Sequence, residues 1–260
     1  MPAKFHFLEN DGFLAFAHRG GREGDQGGGL ENTMPAFQHA VELGYCYLET
    51  DVQATRDGVL LAFHDDSLDR VTDGTGRIGD LDYREVARAR VGGREPIPRF
   101  EELLAAWPDV KINIDPKLDN AVIPLVAALK RGGAIDRVCV SSFSSRRMAW
   151  IRGELGPRLC TGTGPLATTR LWLSSLSGPC KPIWGGFAEG CAQIPTHKWG
   201  IPLADRRFVA RAHELGLQVH VWTINDRAEM NRLIDIGVDG LMTDELAVLK
   251  SVLIERGLWR

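Results

Sequence analysis

No stretch of the 260-residue chain comes near the roughly 20 consecutive apolar residues that a bilayer helix needs, so nothing in it reads as a membrane span. The opening text, "MPAKFHFLENDGFLAFAHRG", lacks a basic leader segment and a small-residue cleavage site, and we expect no export signal. Excess charge of one sign is also missing. The formal net charge is −3 with both signs interspersed, which leaves no broad positive field for nucleic acid and better suits a small, singly charged ligand. The five cysteines (Cys46, Cys139, Cys160, Cys180, Cys191) are odd in number and show no C-x-x-C spacing. That speaks against a thiolate zinc site and a full disulfide framework. We expect reduced, mostly buried thiols in a cytoplasmic protein, with Cys46 and Cys139 as small apolar fillers in strand-like runs. Repeats, low-complexity tracts and linkers are absent too, so residues 1–260 are expected to form a single domain, with the Gly-rich text of residues 20–30 and the Gly/Ser-rich text near 161–190 as loops.

What is present is ordinary globular composition, 44% hydrophobic and 25% charged, enough for a sizeable core. Short apolar runs alternate with longer amphipathic ones: FLAFAH, YCYLETDV, VLLAFH, VKINID, RVCVSSF, RLCTGT, a vaguer run near 187–194, LQVHVWTI and DGLMT. Such alternation predicts a parallel sheet covered by helices, and at this length a (β/α)8 TIM barrel of the α/β class. Glycines at 44, 132, 156, 216 and 237 close amphipathic stretches as C′ residues would. Asn32 or Thr33, Ser144 or Ser145, and the capping-box spacing of Asp226 and Glu229 mark helix starts.

Nine strand-like runs exceed the eight of a barrel, and residues 48–64 explain the surplus as an extra hairpin arm. In "LETDVQATRDGVLLAFHDD" the Asp-Gly pair predicts a type I′ turn at Asp57 and Gly58. Counting outward from that turn sets Asp51 opposite His64, with Glu49 on the same face and Leu48, Val52 and Phe63 on the other. A solvated edge would not surround acids with Tyr45, Tyr47, Leu60, Leu61 and Phe63, and two carboxylates two residues apart on one face repel unless a cation lies between them. Glu49 and Asp51, with Asp115 of "NIDPK" as third ligand, therefore form an all-oxygen site suited to one divalent cation, Mg2+, Ca2+ or Mn2+. His18 and Arg19 fall at the end of the first strand, where barrel ligand sites lie. His18 and His64 make a pair of imidazoles able to divide acid and base duties, and Lys117 follows Asp115 by two residues.

Taken together, "AHRGG", "ENTMPAF", "LETDVQATRDGVLLAFHDDSLDRVTDGTG", "INIDPK", "VSSF" and "VWTIND" resemble, in order and over most of the chain, the glycerophosphodiester phosphodiesterases of the phospholipase C-like TIM-barrel superfamily. The resemblance implies His18 and His64 as acid and base, and Glu49, Asp51 and Asp115 as metal ligands. It also implies Arg19 and Lys117 on the phosphate oxygens, and Phe143 and Trp222 lining the substrate pocket. The chain departs from the family pattern in a longer Gly-rich loop between His18 and Glu31, in Leu30 where a proline is usual, in "TDEL" for TD-x-P, and in Asp115 for a frequent glutamate.

The activity so implied is hydrolysis of a small glycerophosphodiester to glycerol 3-phosphate and an alcohol. Two routes stay open, direct attack by water or attack by a substrate hydroxyl through a cyclic phosphate. Two other readings compete. A lysophospholipase D acting on acyl-bearing diesters would use "LWLSSLSGPCKPIWGG", residues 171–186, as an apolar groove. A non-catalytic phosphodiester-binding barrel would be expected to lack a histidine or a ligand, and none is missing.

Overall fold

The computed structural model describes residues 4–10, 12–22, 30–176 and 186–260. Part of the Gly-rich loop (23–29), Cys180 and most of the 171–186 stretch (177–185) lie outside the described residues.

Nine strands form one sheet: β1 (Leu14–His18), β2 (Tyr47–Ala54), β3 (Leu60–Ala62), β4 (Lys111–Pro116), β5 (Val138–Val140), β6 (Cys160–Thr161), β7 (Cys191–Ile194), β8 (Gln218–Val221) and β9 (Gly240–Thr243). Eight of them run parallel in the order β6-β5-β4-β2-β1-β9-β8-β7. A parallel bridge between Gly162 and Cys191 joins the two ends, so the sheet is a nearly closed (β/α)8 barrel. Helices α1 (Met34–Glu42), α2 (Tyr83–Val86), α3 (Phe100–Ala106), α4 (Val122–Arg131), α5 (Ser145–Leu155), α6 (Pro165–Leu176), α7 (Arg206–Glu214), α8 (Arg227–Asp235) and α9 (Leu246–Glu255) follow the strands; all but two occupy the crossovers, α2 belonging to the excursion after β3 and α9 following the last strand.

The helix starts are the expected ones. Thr33, Ser144 and Asp226 accept backbone N–H bonds from Ala36, Arg147 and Glu229 respectively, each cap contributing about 1 kcal/mol. The stops need one correction. After α4 the left-handed residue is Gly133, at φ +57°, whereas Gly132 stays helical at φ −79°.

Strand β2 is buried along its whole length because both faces are covered, although its inward face carries Glu49, Asp51 and Gln53. Leu48 and Val52 turn outward into the layer between sheet and helices, while Tyr47 points into the barrel with Phe7, Phe16 and Met242. Phe7 and Tyr47 meet edge to face with ring centroids 5.4 Å apart, closing the barrel floor.

The arm β3 pairs antiparallel with β2, but not in the expected register. Val52 faces Ala62 and Ala54 faces Leu60, so Asp51 lies opposite Phe63, whose N–H donates to the Asp51 carbonyl (2.9 Å), rather than opposite His64. Gly58 alone has positive φ (+84°), and the Gly58 N–H returns to the Thr55 carbonyl. This is a three-residue loop with a left-handed glycine, one residue longer than a type I′ turn. Phe63 accordingly joins Leu61, Leu68, Ile78 and Val91 under the excursion spanning residues 63–99, not Leu48 and Val52.

Candidate active site

The parallel registers stack the chemistry at the C-terminal ends of the strands. His18 at the end of β1 is level with Glu49 on β2, and Asp51 is level with Asp115 on β4. Neighbouring strands lie about 4.8 Å apart, so the members of each pair stand side by side. Thr243, last residue of β9, follows Met242, the partner of Phe16, and pairs with Ala17. Asp244 therefore emerges beside His18.

These side chains open on one cavity of about 400 Å3, whose lining includes His18, Arg19, Glu49, Asp51, His64, Asp115, Lys117, Phe143 and Trp222. Every site residue expected from the sequence is thus gathered on one wall system. The one-residue shift in the arm would have turned His64 away had the strand continued. Pairing stops at Ala62, however, and the Gln53 side-chain amide donates to the His64 carbonyl (3.0 Å), so the chain bends and His64 still reaches the cavity.

Each imidazole is held through Nδ1 by a carboxylate. His18 Nδ1 is 2.6 Å from Asp244 Oδ1, and His64 Nδ1 is 2.5 Å from Asp65 Oδ1. The Asn225 amide donates to the other oxygen of Asp244 (2.8 Å), and Arg70 donates to both oxygens of Asp65 while forking onto Glu31. Bonds from Arg70, foremost, draw the Asp65 carboxyl down to about 2. Asp244, Asp65, Glu31 and Arg70 had no role in the sequence reading. Burial pushes the His18 pKa down, but Glu49, 3.8 Å from Nε2, and the bond to Asp244 outweigh it, leaving His18 above its ordinary value.

The carboxylates crowd one another. Lys117 Nζ spans Asp51 (2.6 Å) and Asp115 (2.7 Å), and Arg19 lies 3.0 Å from Asp51 and bonds Glu31. Burial raises Asp51, but Lys117 and Arg19 more than offset it, so Asp51 titrates below the usual range, whereas burial holds Asp115 above it. Glu49 accepts only the Arg19 backbone N–H (3.2 Å) among the described residues, and burial together with the Asp51 charge lifts it to about 7. The buried Asp51 Oδ2 accepts no hydrogen bond, since the Arg19 Nε beside it is misaligned. Three carboxylates thus face two fixed cations, and one buried carboxylate oxygen is unused. That donor set fits a divalent cation. Among the described residues, the one group of three ligand atoms within 4.8 Å of each other is Cys139, Cys160 and Cys191, so the carboxylates are spread around Lys117 rather than drawn together.

At the rim Phe143, 66% exposed, meets Trp222 edge to face at 6.1 Å, and Trp172, Ile194 and Leu203 extend the apolar wall. The Trp222–Thr223 peptide bond is cis.

Residues 18–248 match the sequence profile of the Glycerophosphoryl diester phosphodiesterase family. The chain is 38% identical over 257 residues to the Probable glycerophosphodiester phosphodiesterase 2 of Mycobacterium tuberculosis, covering 97% of this chain and 95% of that protein. It is 31% identical over 293 residues to the Lysophospholipase D GDPD1 of Mus musculus, covering 97% and 90%. Among solved structures, a putative glycerophosphoryl diester phosphodiesterase from Silicibacter pomeroyi superposes with TM-score 0.79 at 23% identity, covering 98% of this chain and 100% of that one. An Oleispira antarctica phosphodiesterase in complex with the product sn-glycerol-3-phosphate superposes with TM-score 0.75 at 23% identity, covering 93% and 96%.

Proposed function

This chain belongs to the glycerophosphoryl diester phosphodiesterase family, and from that premise we propose that its cavity hydrolyses small glycerophosphodiesters with His18 and His64 as the proton-transfer pair and a divalent cation on Glu49, Asp51 and Asp115. The enzyme is a glycerophosphodiester phosphodiesterase. The observation that carries the finer reading is the pair of imidazole–carboxylate couples, His18 with Asp244 and His64 with Asp65, whose two imidazoles line one cavity.

A phosphodiester presents two demands. Its oxygens accumulate charge on the way to the transition state, and its alkoxide leaves only when protonated. With Nδ1–H donated to a carboxylate, each imidazole offers Nε2 to substrate, so one histidine takes the proton of the attacking oxygen and the other delivers one to the departing alcohol. Lys117 has three N–H donors, two of them used on Asp51 and Asp115, which leaves one for a phosphoryl oxygen. Arg19 adds a guanidinium at the same level. When bound, a divalent cation on the three carboxylates supplies Lewis-acid stabilisation of phosphoryl charge. Phe143 and Trp222 pack against the alcohol portion.

The test is release of glycerol 3-phosphate from glycerophosphocholine, with EDTA and then with Mg2+, Ca2+ or Mn2+ restored. Turnover is expected to vanish with EDTA and return with one of the ions. His18→Ala and His64→Ala should each lower kcat by about 100-fold or more while circular dichroism stays native. Full activity in either variant overturns its assignment, and no turnover with any ion or diester favours a binding barrel.

A lysophospholipase D activity is the second reading, supported by the apolar wall of Trp172, Ile194 and Leu203 and by the resemblance to the mouse protein. A lyso-lipid cleaved faster than its deacylated counterpart would establish it.

A further inference from the structure

In the barrel interior, one inward-facing layer below the cavity-lining Ser141 and Gln193, three cysteines absent from any local motif converge. Cys139 on β5 and Cys160 on β6 are register partners, and Cys191 opens β7, the next strand around. All three point into the barrel, are at most 1% exposed, and share an apolar pocket with Phe5, Phe7, Leu8 and Phe16. Their sulfurs lie within 4.8 Å of one another, with Cys139 and Cys191 at 3.8 Å. The spacing of some 20 and 30 residues hides the group from a search for paired-cysteine motifs, because it is barrel curvature and not sequence proximity that assembles it.

A sheet filler would explain one such thiol. Three aimed at one point call for another account, and a disulfide is a poor one for Cys139 and Cys191. Cys139 and Cys191 are separated by β6, so their Cα atoms stand about two strand spacings apart, roughly 9–10 Å and beyond the reach of an unstrained bridge. Three thiolates around a central cation with metal–sulfur bonds of about 2.3 Å would have sulfurs about 4.0 Å apart, close to the observed arrangement.

We propose that Cys139, Cys160 and Cys191 form a three-coordinate site for a soft, thiophilic cation of the monovalent copper class, distinct from the oxygen-ligand site in the cavity. Thiolate donors select such ions, and zinc in a closed site requires a fourth ligand; the surrounding Phe and Leu side chains offer none, the Tyr47 hydroxyl is turned to the Phe7 and Glu9 carbonyls, and Met242 brings only a neutral thioether to the cluster. Each sulfur that ligates releases its proton to solvent, so uptake strengthens as pH rises.

The experiment uses the full chain in a Cys46→Ser, Cys180→Ser background, so that only the three barrel thiols remain. Cu(I) is added anaerobically against a chromophoric chelator, both to the folded protein and during refolding, so that the Phe5–Leu8 plug cannot block entry. One equivalent per chain is expected, with a sulfur-to-copper charge-transfer band and a raised Tm. Cys139→Ser, Cys160→Ser and Cys191→Ser should each weaken binding by about 100-fold with native circular dichroism. Less than one equivalent under both protocols, or single variants that bind like the background, overturns the site. Equal affinity for Zn(II) overturns its three-coordinate form.

Discussion

Glu49→Gln should make the metal-free protein more stable and the enzyme inactive. Glu49 is 5% exposed, and burial with the neighbouring Asp51 charge lifts its pKa from an ordinary 4.5 to about 7. Between those values the native state keeps a proton that the unfolded chain has lost. The native state then binds more protons, so stability falls as pH rises through the window. At about 1.4 kcal/mol per pH unit the cost reaches about 3 kcal/mol once pH exceeds 7, and is absent below 4.5. His18 acts in the same direction. Its pKa is raised above 6.5, so its stabilisation is present below 6.5 and lost as pH climbs through the folded value.

Glutamine matches the neutral acid in shape and still accepts the Arg19 N–H, so the difference between wild type and variant isolates the charge. The assay is urea unfolding in EDTA at pH 4.5, 6 and 8, compared at constant m-value. The curves should coincide at pH 4.5 and separate by about 3 kcal/mol in favour of the variant at pH 8. Mg2+, Ca2+ or Mn2+ should then stabilise wild type selectively. Parallel pH profiles, with no gap opening by pH 8, would refute the claim that this cavity stores unfavourable negative charge.

Asp244→Asn should lower kcat by about 100-fold or more with little change in KM, because an amide can donate to His18 Nδ1 and so hold the wrong tautomer; an unchanged kcat in steady-state assays removes Asp244 from the machinery. Lys117→Met should destabilise the metal-free protein by about 3 kcal/mol in chemical denaturation, since Asp51 and Asp115 lose the ammonium between them, and a divalent cation should recover part of the loss. Gly58→Ala, at φ +84° with open space around it, should cost about 1 kcal/mol in the same assay. Gly20→Ala should cost more, because its Cβ would sit 2.8 Å from the Ala36 methyl and 2.9 Å from the Ala36 carbonyl carbon. Equal losses would show that φ and not close packing governs both positions.

The barrel was legible because apolar runs and helical stretches alternate at a period that only a parallel sheet explains, and each barrel strand begins within a run read from the text, β2 and β4 continuing past its end by two residues and one. The arm was legible in place but not in register. Asp57 and Gly58 do form its tip, yet Asp57 accepts from the Thr55 hydroxyl (2.6 Å) and from the Tyr83 N–H (2.9 Å), and Arg56 bonds Asp82. Tyr83 and Asp82 lie 26 residues downstream of their partners, in an excursion whose sequence shows no strong period. Local dipeptide preference chose the shorter turn, and tertiary contacts chose the longer one.

Asp244 shows where more could have been read. "DGLMTDE" ends the last strand as "FLAFAHR" ends the first, and in a closed barrel those two strands are neighbours, so the residue after Thr243 must emerge beside the residue after Ala17. Strand closure alone therefore pairs Asp244 with His18 across 226 positions, without any side-chain detail. The same reasoning applied to β5, β6 and β7 brings Cys139, Cys160 and Cys191 to one side of the barrel. The arrangement of the carboxylates resists it, because where Lys117 goes depends on how three acids and two cations share a buried space. That balance of burial against charge is a property of the assembled wall, and Glu49 titrating near 7 is its measurable trace.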